Sequence, residues 1–153
     1  MLKVTPVLRT EREQLLEMVD DYWRTFVAGH RLADDSLARD KRFEEEFWAQ
    51  RDSRFLWWAT VDENRVGFAK TDLLEDVMWG TQGDIGDFYI APSFRRQGHG
   101  AAFARLLFDW FSQRSVKSVR LYVRLDNPGA LAFWEKEGFE TVQVWHQMRR
   151  MVR

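Results

Sequence analysis

Over the first third of the chain the apolar positions fall at helical spacing. After "LKVTPVLR", which reads as a short strand, Leu15, Leu16, Val19, Trp23, Phe26 and Val27 form one stripe. Pro6 places the strand at a sheet edge or bulge. Thr10 and Glu13 have the spacing of a capping box, and Gly29 stands where that helix should stop. A second, charge-rich helix is expected in "LADDSLARDKRFEEEFWAQRD", with Leu37, Phe43 and Phe47 as its thin apolar stripe.

The period then shortens. "RFLWWATV" and "RVGFAKTDLL" flank the polar turn Asp62-Glu63-Asn64 and predict an antiparallel hairpin. "EDVMWGTQGD" reads as a loop, and "IGDFYIA" as a strand that Pro92 ends. "GAAFARLLFDWFSQR" returns to helical spacing through Phe103, Leu106, Leu107, Trp110 and Phe111. "SVRLYVR" alternates Val119, Leu121 and Val123 with Arg120, Tyr122 and Arg124, as a strand does. Asn127 caps a short helix, with Pro128 in its first position and Gly138 past its end. "FETVQVWHQMRRMV" finishes as one or two strands. A strand, a long helix and a strand in succession imply a right-handed parallel crossover. The expectation is a single α/β domain over 1–153. Its sheet is mixed, mostly antiparallel and of six to seven strands, with the parallel crossover after the fourth strand and helices on both faces.

Composition adds mainly exclusions. A chain of 153 residues buries about 70% of its unfolded surface and needs no disulfide or structural metal. There is no cysteine, which excludes thiolate metal sites and a thiol nucleophile and fits a reducing compartment. The net charge of -1 provides no signal for nucleic acid. No apolar run reaches the roughly 18 residues of a membrane span. The opening "MLKVTPVLRTERE" lacks the apolar core of a secretory leader, so a cytoplasmic location is expected. The eight tryptophans are read chiefly as core.

The chemistry concentrates in "APSFRRQGHGAAFARLLFDWF". A helix that starts near Gly98 leaves its first amides without partners, and its dipole favours an anion there. Gly98 and Gly100 let a phosphate approach the backbone, and Arg95 and Arg96 add positive charge. The lysine and hydroxyl of a Walker loop and the spacing of a Rossmann fingerprint are both missing. A glycine-rich turn that binds nothing would look the same at this level.

Arg95-x-x-Gly98-x-Gly100 after a strand and Pro92 resembles the acyl-CoA signature of the GNAT superfamily of N-acetyltransferases. "RVGFAK" is similar to that family's third strand, and "LYVRLDNPGALAFWEKEGF" to its fifth strand and following helix; the likeness is best over residues 55–140. The resemblance implies acetyl-CoA as cosubstrate and no metal. It assigns the pyrophosphate to the backbones of Arg96, Gln97, Gly98, His99, Gly100 and Ala101, beside Arg95. It assigns the pantetheine arm to Phe88, Tyr89 and Ile90, and a further cofactor contact to Asn127.

The implied reaction is direct attack of an amine on the thioester. The Phe88 amide would polarise the carbonyl, with Gly86 marking a bulge that opens the strand. Asp84 matches a position where some members keep a glutamate base, and Asp87 is its rival. In a regular strand the two point to opposite faces, so only a bulge would bring both into one cleft. Trp134 stands where the family often has a tyrosine acid. An indole is too weak an acid, though its ring can pack on the cofactor; Tyr122 is the substitute, ahead of Tyr89. A thiol of pKa about 8.5 can also leave as thiolate. The acceptor site is expected between the first two helices and the loop around Met78 and Trp79. Asp20, Asp21, Asp34, Asp35, Asp72, Glu75 and Asp76 make those segments acidic and would attract a cationic amine. The acceptor expected is the primary amine of a small molecule, with neither nucleic acid nor membrane as partner. The alternatives are a protein or peptide N-acetyltransferase and a non-catalytic acyl-CoA sensor. An exposed last strand would offer an edge for a homodimer.

Overall fold

A computed structural model describes residues 1–26, 35–144, 146, 148, 150 and 152. The chain divides into two compact units, Met1–Tyr122 and Val123–Arg153. The first contains β1 (Lys3–Pro6), α1 (Arg12–Phe26), α2 (Ser36–Phe43), β2 (Arg54–Val61), β3 (Asn64–Asp76), β4 (Gly80–Ile90), α3 (His99–Ser112) and β5 (Val119–Arg120). The second contains α4 (Pro128–Lys136).

The sheet runs β1-β2-β3-β4-β5 and is antiparallel except for the parallel β4–β5 pair. Pro6 ends the edge strand β1, where its missing N–H costs no ladder bond. Asp62 and Glu63 make the β2–β3 turn, both with positive φ (46° and 66°), the backbone twist a two-residue hairpin loop demands. Both faces of the sheet are covered. On one, Leu15, Leu16 and Val19 of α1 and Phe43 and Phe47 pack on Trp58, Phe68 and Tyr89. On the other, Phe103 and Leu107 of α3 pack on Trp57, Val66, Ala69 and Ile90. Gly67 lies where a Cβ would meet the Tyr89 carbonyl oxygen at 2.1 Å, so no side chain fits there.

Several expectations are corrected. The sheet has five strands among the described residues, not six or seven. β5 is two residues long, because Leu121 to Arg124 pair with nothing in the sheet, and the described residues past α4 form no strand. The stretch read as a loop is mostly strand: β3 extends to Asp76, β4 begins at Gly80, and only Val77–Trp79 turn. The Asp76 carboxylate accepts from the Met78 and Trp79 amides and holds that turn. The Thr10–Glu13 box does not form. A 3-10 turn over Arg9–Glu11 precedes α1, and Glu11 accepts from the Leu8 amide instead. Leu37 and Leu106 face outward. The readings of Val27 in the stripe, Gly29 as helix stop and Asp34 as an acceptor-site carboxylate lie outside the described residues, as does part of the last strand.

Candidate active site

The turn before α3 has an unusual backbone. Pro92–Phe94 make one 3-10 turn, Arg95 is extended, and both Arg96 (φ 59°) and Gly98 (φ 80°) are left-handed. Gly98 is the N-cap of α3 and provides no side chain to cap it. The amides of Gly98, His99, Gly100 and Ala101 therefore have no partner within the helix. A left-handed residue followed by helical ones turns successive amides into one concavity, suited to an anion. A Cβ on Gly98 would meet nothing within 4 Å, so the positive φ, not crowding, selects glycine.

Side chains brace this turn from behind. Arg95 Nε donates to the Ile90 carbonyl at 2.7 Å, and its guanidinium lies 5.5 Å from the Tyr89 ring centre. Gln97 Nε2 donates to the Ser93 carbonyl at 3.0 Å. His99 is half-buried beside Phe94, with ring centres 6.5 Å apart. These contacts hold the turn against β4, with its free amides at the start of α3, where an anion is favoured.

β4 leads into the turn and leaves its neighbour early. β5 pairs only with Gly83 and Asp84. Ala91 N donates to Val66 O, so Asp87 and Tyr89 direct their backbone groups to β3. Phe88 and Ile90 direct theirs the other way, to the side where β5 has ended. Phe88 stacks on Phe103 of α3, with ring centres 4.9 Å apart.

A β-bulge controls the carboxylates. Lys70 pairs with Asp87 and Thr71 with Ile85, so Gly86 is the extra residue. Asp72 then pairs with Asp84, which returns Asp84 to the face that carries Asp87, Lys70 and Tyr89. Asp84 accepts from Arg120 Nε of β5 at 2.9 Å. Asp87 pairs with Lys70 Nζ at 2.8 Å and accepts a hydrogen bond from the Tyr22 hydroxyl of α1. Burial pushes the Asp87 carboxyl above the ordinary carboxylate range, against the opposing pull of Lys70 and Tyr22. Burial and the charge of Asp87 together push the Tyr22 hydroxyl well above the ordinary phenol range.

Lys70 has a second anchor. α2 ends in a π-helical turn, Glu44–Trp48, closed by Ala49 N donating to Glu44 O at 2.7 Å. Within it the Glu46 carbonyl accepts from Lys70 Nζ at 3.0 Å, and the ammonium lies 4.5 Å from the Phe47 ring centre. Sequence reading missed Tyr22, Glu46, Lys70 and Arg120. One signal was present: Lys70 is a lone charge inside the apolar strand run "VGFAKT".

The remaining candidates are dispersed. Tyr122 is 71% exposed, beyond the end of β5 and 6.0 Å from the Arg120 guanidinium. In the second unit Asn127 Oδ1 accepts from Ala130 N at 3.1 Å, the cap its residue type suggests. Trp134 is buried there against Phe133 and Phe139. Gly138 (φ 92°) closes α4, as Gly138 N reaches Glu135 O and Phe139 N reaches Trp134 O. Much of the acidic charge is committed locally: Asp20 to Arg24 and Arg39, Asp35 to the cap of α2, Asp72 to Ser53, and Glu75 to Thr81. Val77, Met78 and Trp79 are exposed at the β3–β4 turn. No described helix is long and apolar enough to cross a membrane.

Comparison with known proteins gives the family and the fold. The profile of the Acetyltransferase (GNAT) family matches residues 15–139. An uncharacterized N-acetyltransferase of Methanocaldococcus jannaschii is 24% identical over 149 residues, 94% of this chain and 66% of that one. The ribosomal protein bS18-alanine N-acetyltransferase of Salmonella typhimurium is 28% identical over 102 residues, 66% of each. The chain thus spans about two thirds of the length of these curated relatives. An aminoglycoside N-acetyltransferase solved in complex with CoA shares the fold, with TM-score 0.73 and 18% identity over 99% of this chain and 96% of that one.

Proposed function

Because the chain belongs to the acetyltransferase (GNAT) family, we propose that it moves an acetyl group from acetyl-CoA to the primary amine of a small molecule. The amine attacks the thioester directly in a ternary complex. One observation carries this reading: the amides of residues 98–101 converge at the start of α3, next to a strand that has parted from β5. The turn from Arg96 to Ala101 would hold the diphosphate, with Arg95 bracing it. The backbone of Phe88 to Ile90, past the end of β5, would take the pantetheine arm in the manner of an added strand. For Asn127 and Trp134 the support is the family resemblance.

The Phe88 amide faces the side where the thioester carbonyl would lie and donates to its oxygen as negative charge develops. One such donor is worth about 3 kcal/mol of barrier. Asp87 accepts the proton of the incoming ammonium, since burial raises its proton affinity above that of an ordinary carboxylate. The amine nitrogen bonds to the carbonyl carbon, the carbon–sulfur bond breaks, the sulfur leaves as thiolate, and the nitrogen gives up its second proton to solvent or to that thiolate. Tyr122 is retained as the acid if protonation is required, but a thiolate leaves without one. Asp84, tied to Arg120, fastens β4 to β5 where they separate.

Thiol release from acetyl-CoA, measured over a panel of polyamines, amino sugars and amino acids, tests the assignment. A peptide acceptor is the second reading, since the Salmonella relative modifies a ribosomal-protein alanine. A peptide beginning with alanine, its α-amine free, belongs in the same panel. Turnover with that peptide alone would replace the small-molecule reading; thermal stabilisation by acetyl-CoA with no turnover would favour a sensor.

A further inference from the structure

The clamp around Asp87 is built from parts that sheet pairing alone does not require. Lys70 is tied to the π-helical turn through the Glu46 carbonyl, and Tyr22 reaches Asp87 from α1. Both Lys70 and Asp87 are nearly buried, at 14% and 16% side-chain exposure, so the pair is poorly screened by water. The π-helical turn is a rare geometry, and here its carbonyl is what fixes the lysine. The charged and titratable groups around Asp87 are Tyr22 from α1, Arg42 and Glu46 from α2 and its π turn, Arg54 from β2, Lys70 from β3 and Asp84 from β4. Arg42 is paired with Glu46 at 2.9 Å. Arg54 Nε and Nη1 are buried without a hydrogen-bond partner, and the Arg54 guanidinium adds to the field at Asp87 through charge.

We propose that Lys70 and Tyr22 are positioning residues for the reaction. Together they hold the Asp87 carboxylate in place and couple it to α1 and the end of α2. The inference rests on the reading of Asp87 as the base. Its consequence is that the two helices expected to meet the acceptor also control the group that deprotonates it. Movement of either helix would alter Asp87 without any contact between acceptor and carboxylate.

The test is a carboxyl 13C NMR titration of the full chain labelled at aspartate, with Asp87 identified by its absence in Asp87→Asn. In Lys70→Met the Asp87 midpoint should rise by about one to three pH units, the usual effect of a nearby opposite charge. In Tyr22→Phe, which keeps the ring on Phe68 and Tyr89, it should rise by less. Lys70→Arg should keep it near the parent value and guards against a Lys70→Met variant that fails to fold. If Tyr22→Phe leaves the midpoint where it is, or Lys70→Met and Lys70→Arg behave alike, the proposal is overturned. The acid limb of kcat/KM, measured with whichever amine the panel identifies, should move with the midpoint. Persistence of that limb in Asp87→Asn would reject Asp87 as base while leaving the NMR result intact, so the two failures are distinguishable.

Discussion

Asp87 shows how one side chain acquires a role from its surroundings. An aspartate in water is a poor base for an ammonium, because it holds a proton only weakly. Burial raises its proton affinity, and the Lys70 ammonium limits the rise. The acid limb of kcat/KM in the parent should therefore lie above the ordinary aspartate range. Asp87→Asn should abolish that limb and lower kcat by about 100-fold or more, read from pH profiles of thiol release. Gly98 makes a different argument at the same scale. Its φ of 80° costs a residue with a Cβ about 1–2 kcal/mol. Gly98→Ala should lower Tm and weaken acetyl-CoA binding together, as measured by calorimetry.

At the scale of elements, short polar links join helices and strands that the hydrophobic effect only brings near one another. Glu11 is the clearest case. It accepts from the Leu8 amide at 2.8 Å and from Trp58 Nε1 of β2 at 3.0 Å, and it pairs with Arg65 of β3. Burial by itself would raise the Glu11 carboxyl, but these partners outweigh it and hold the group below its ordinary value of 4.5. A depressed folded value means that the stabilisation is complete above the unfolded value and is lost as pH falls through the folded one. The stability difference between the parent and Glu11→Gln should therefore be largest at neutral pH and vanish on acidification, followed by urea melts between pH 7 and 3. Thr71 is a second link: buried, it accepts from Trp57 Nε1 at 2.9 Å. Thr71→Val should cost about 1–3 kcal/mol, because it strands a buried indole N–H.

For the whole molecule, ligand binding and stability are linked. Acetyl-CoA at 100 times its Kd should stabilise the fold by about 2.7 kcal/mol. For a chain of this size that is a rise in Tm of roughly 5–10 °C. Differential scanning fluorimetry reads it directly, and an unchanged Tm at saturating acetyl-CoA would count against both the enzyme and the sensor readings. The rise should shrink in Gly98→Ala and persist in Asp87→Asn if, as proposed, the turn holds the nucleotide while Asp87 serves the amine.

Local pattern was sufficient wherever one element specifies itself. The β2–β3 hairpin, the helix after Gly98, the Asn127 cap and the Gly138 stop depend on neighbours in the chain, and each formed as the sequence implied. The left-handed turn before α3 was legible for the same reason, since left-handed glycine and helix-start amides are local properties. The length of β4 was not, because Gly80 and Gly83 have weak strand propensity and are held by pairing with β3. Nor could periodicity decide between Asp84 and Asp87. The bulge at Gly86 puts both on one face, and a bulge is defined by the partner strand. Sequence alone determined the order of elements as far as α4 and the left-handed turn that starts α3, because backbone conformation is set within a few residues. Only the tertiary structure decided which carboxylate is clamped by Lys70 and Tyr22, because Tyr22, Lys70 and Asp87 lie far apart in the chain and meet only once α1 packs on the sheet.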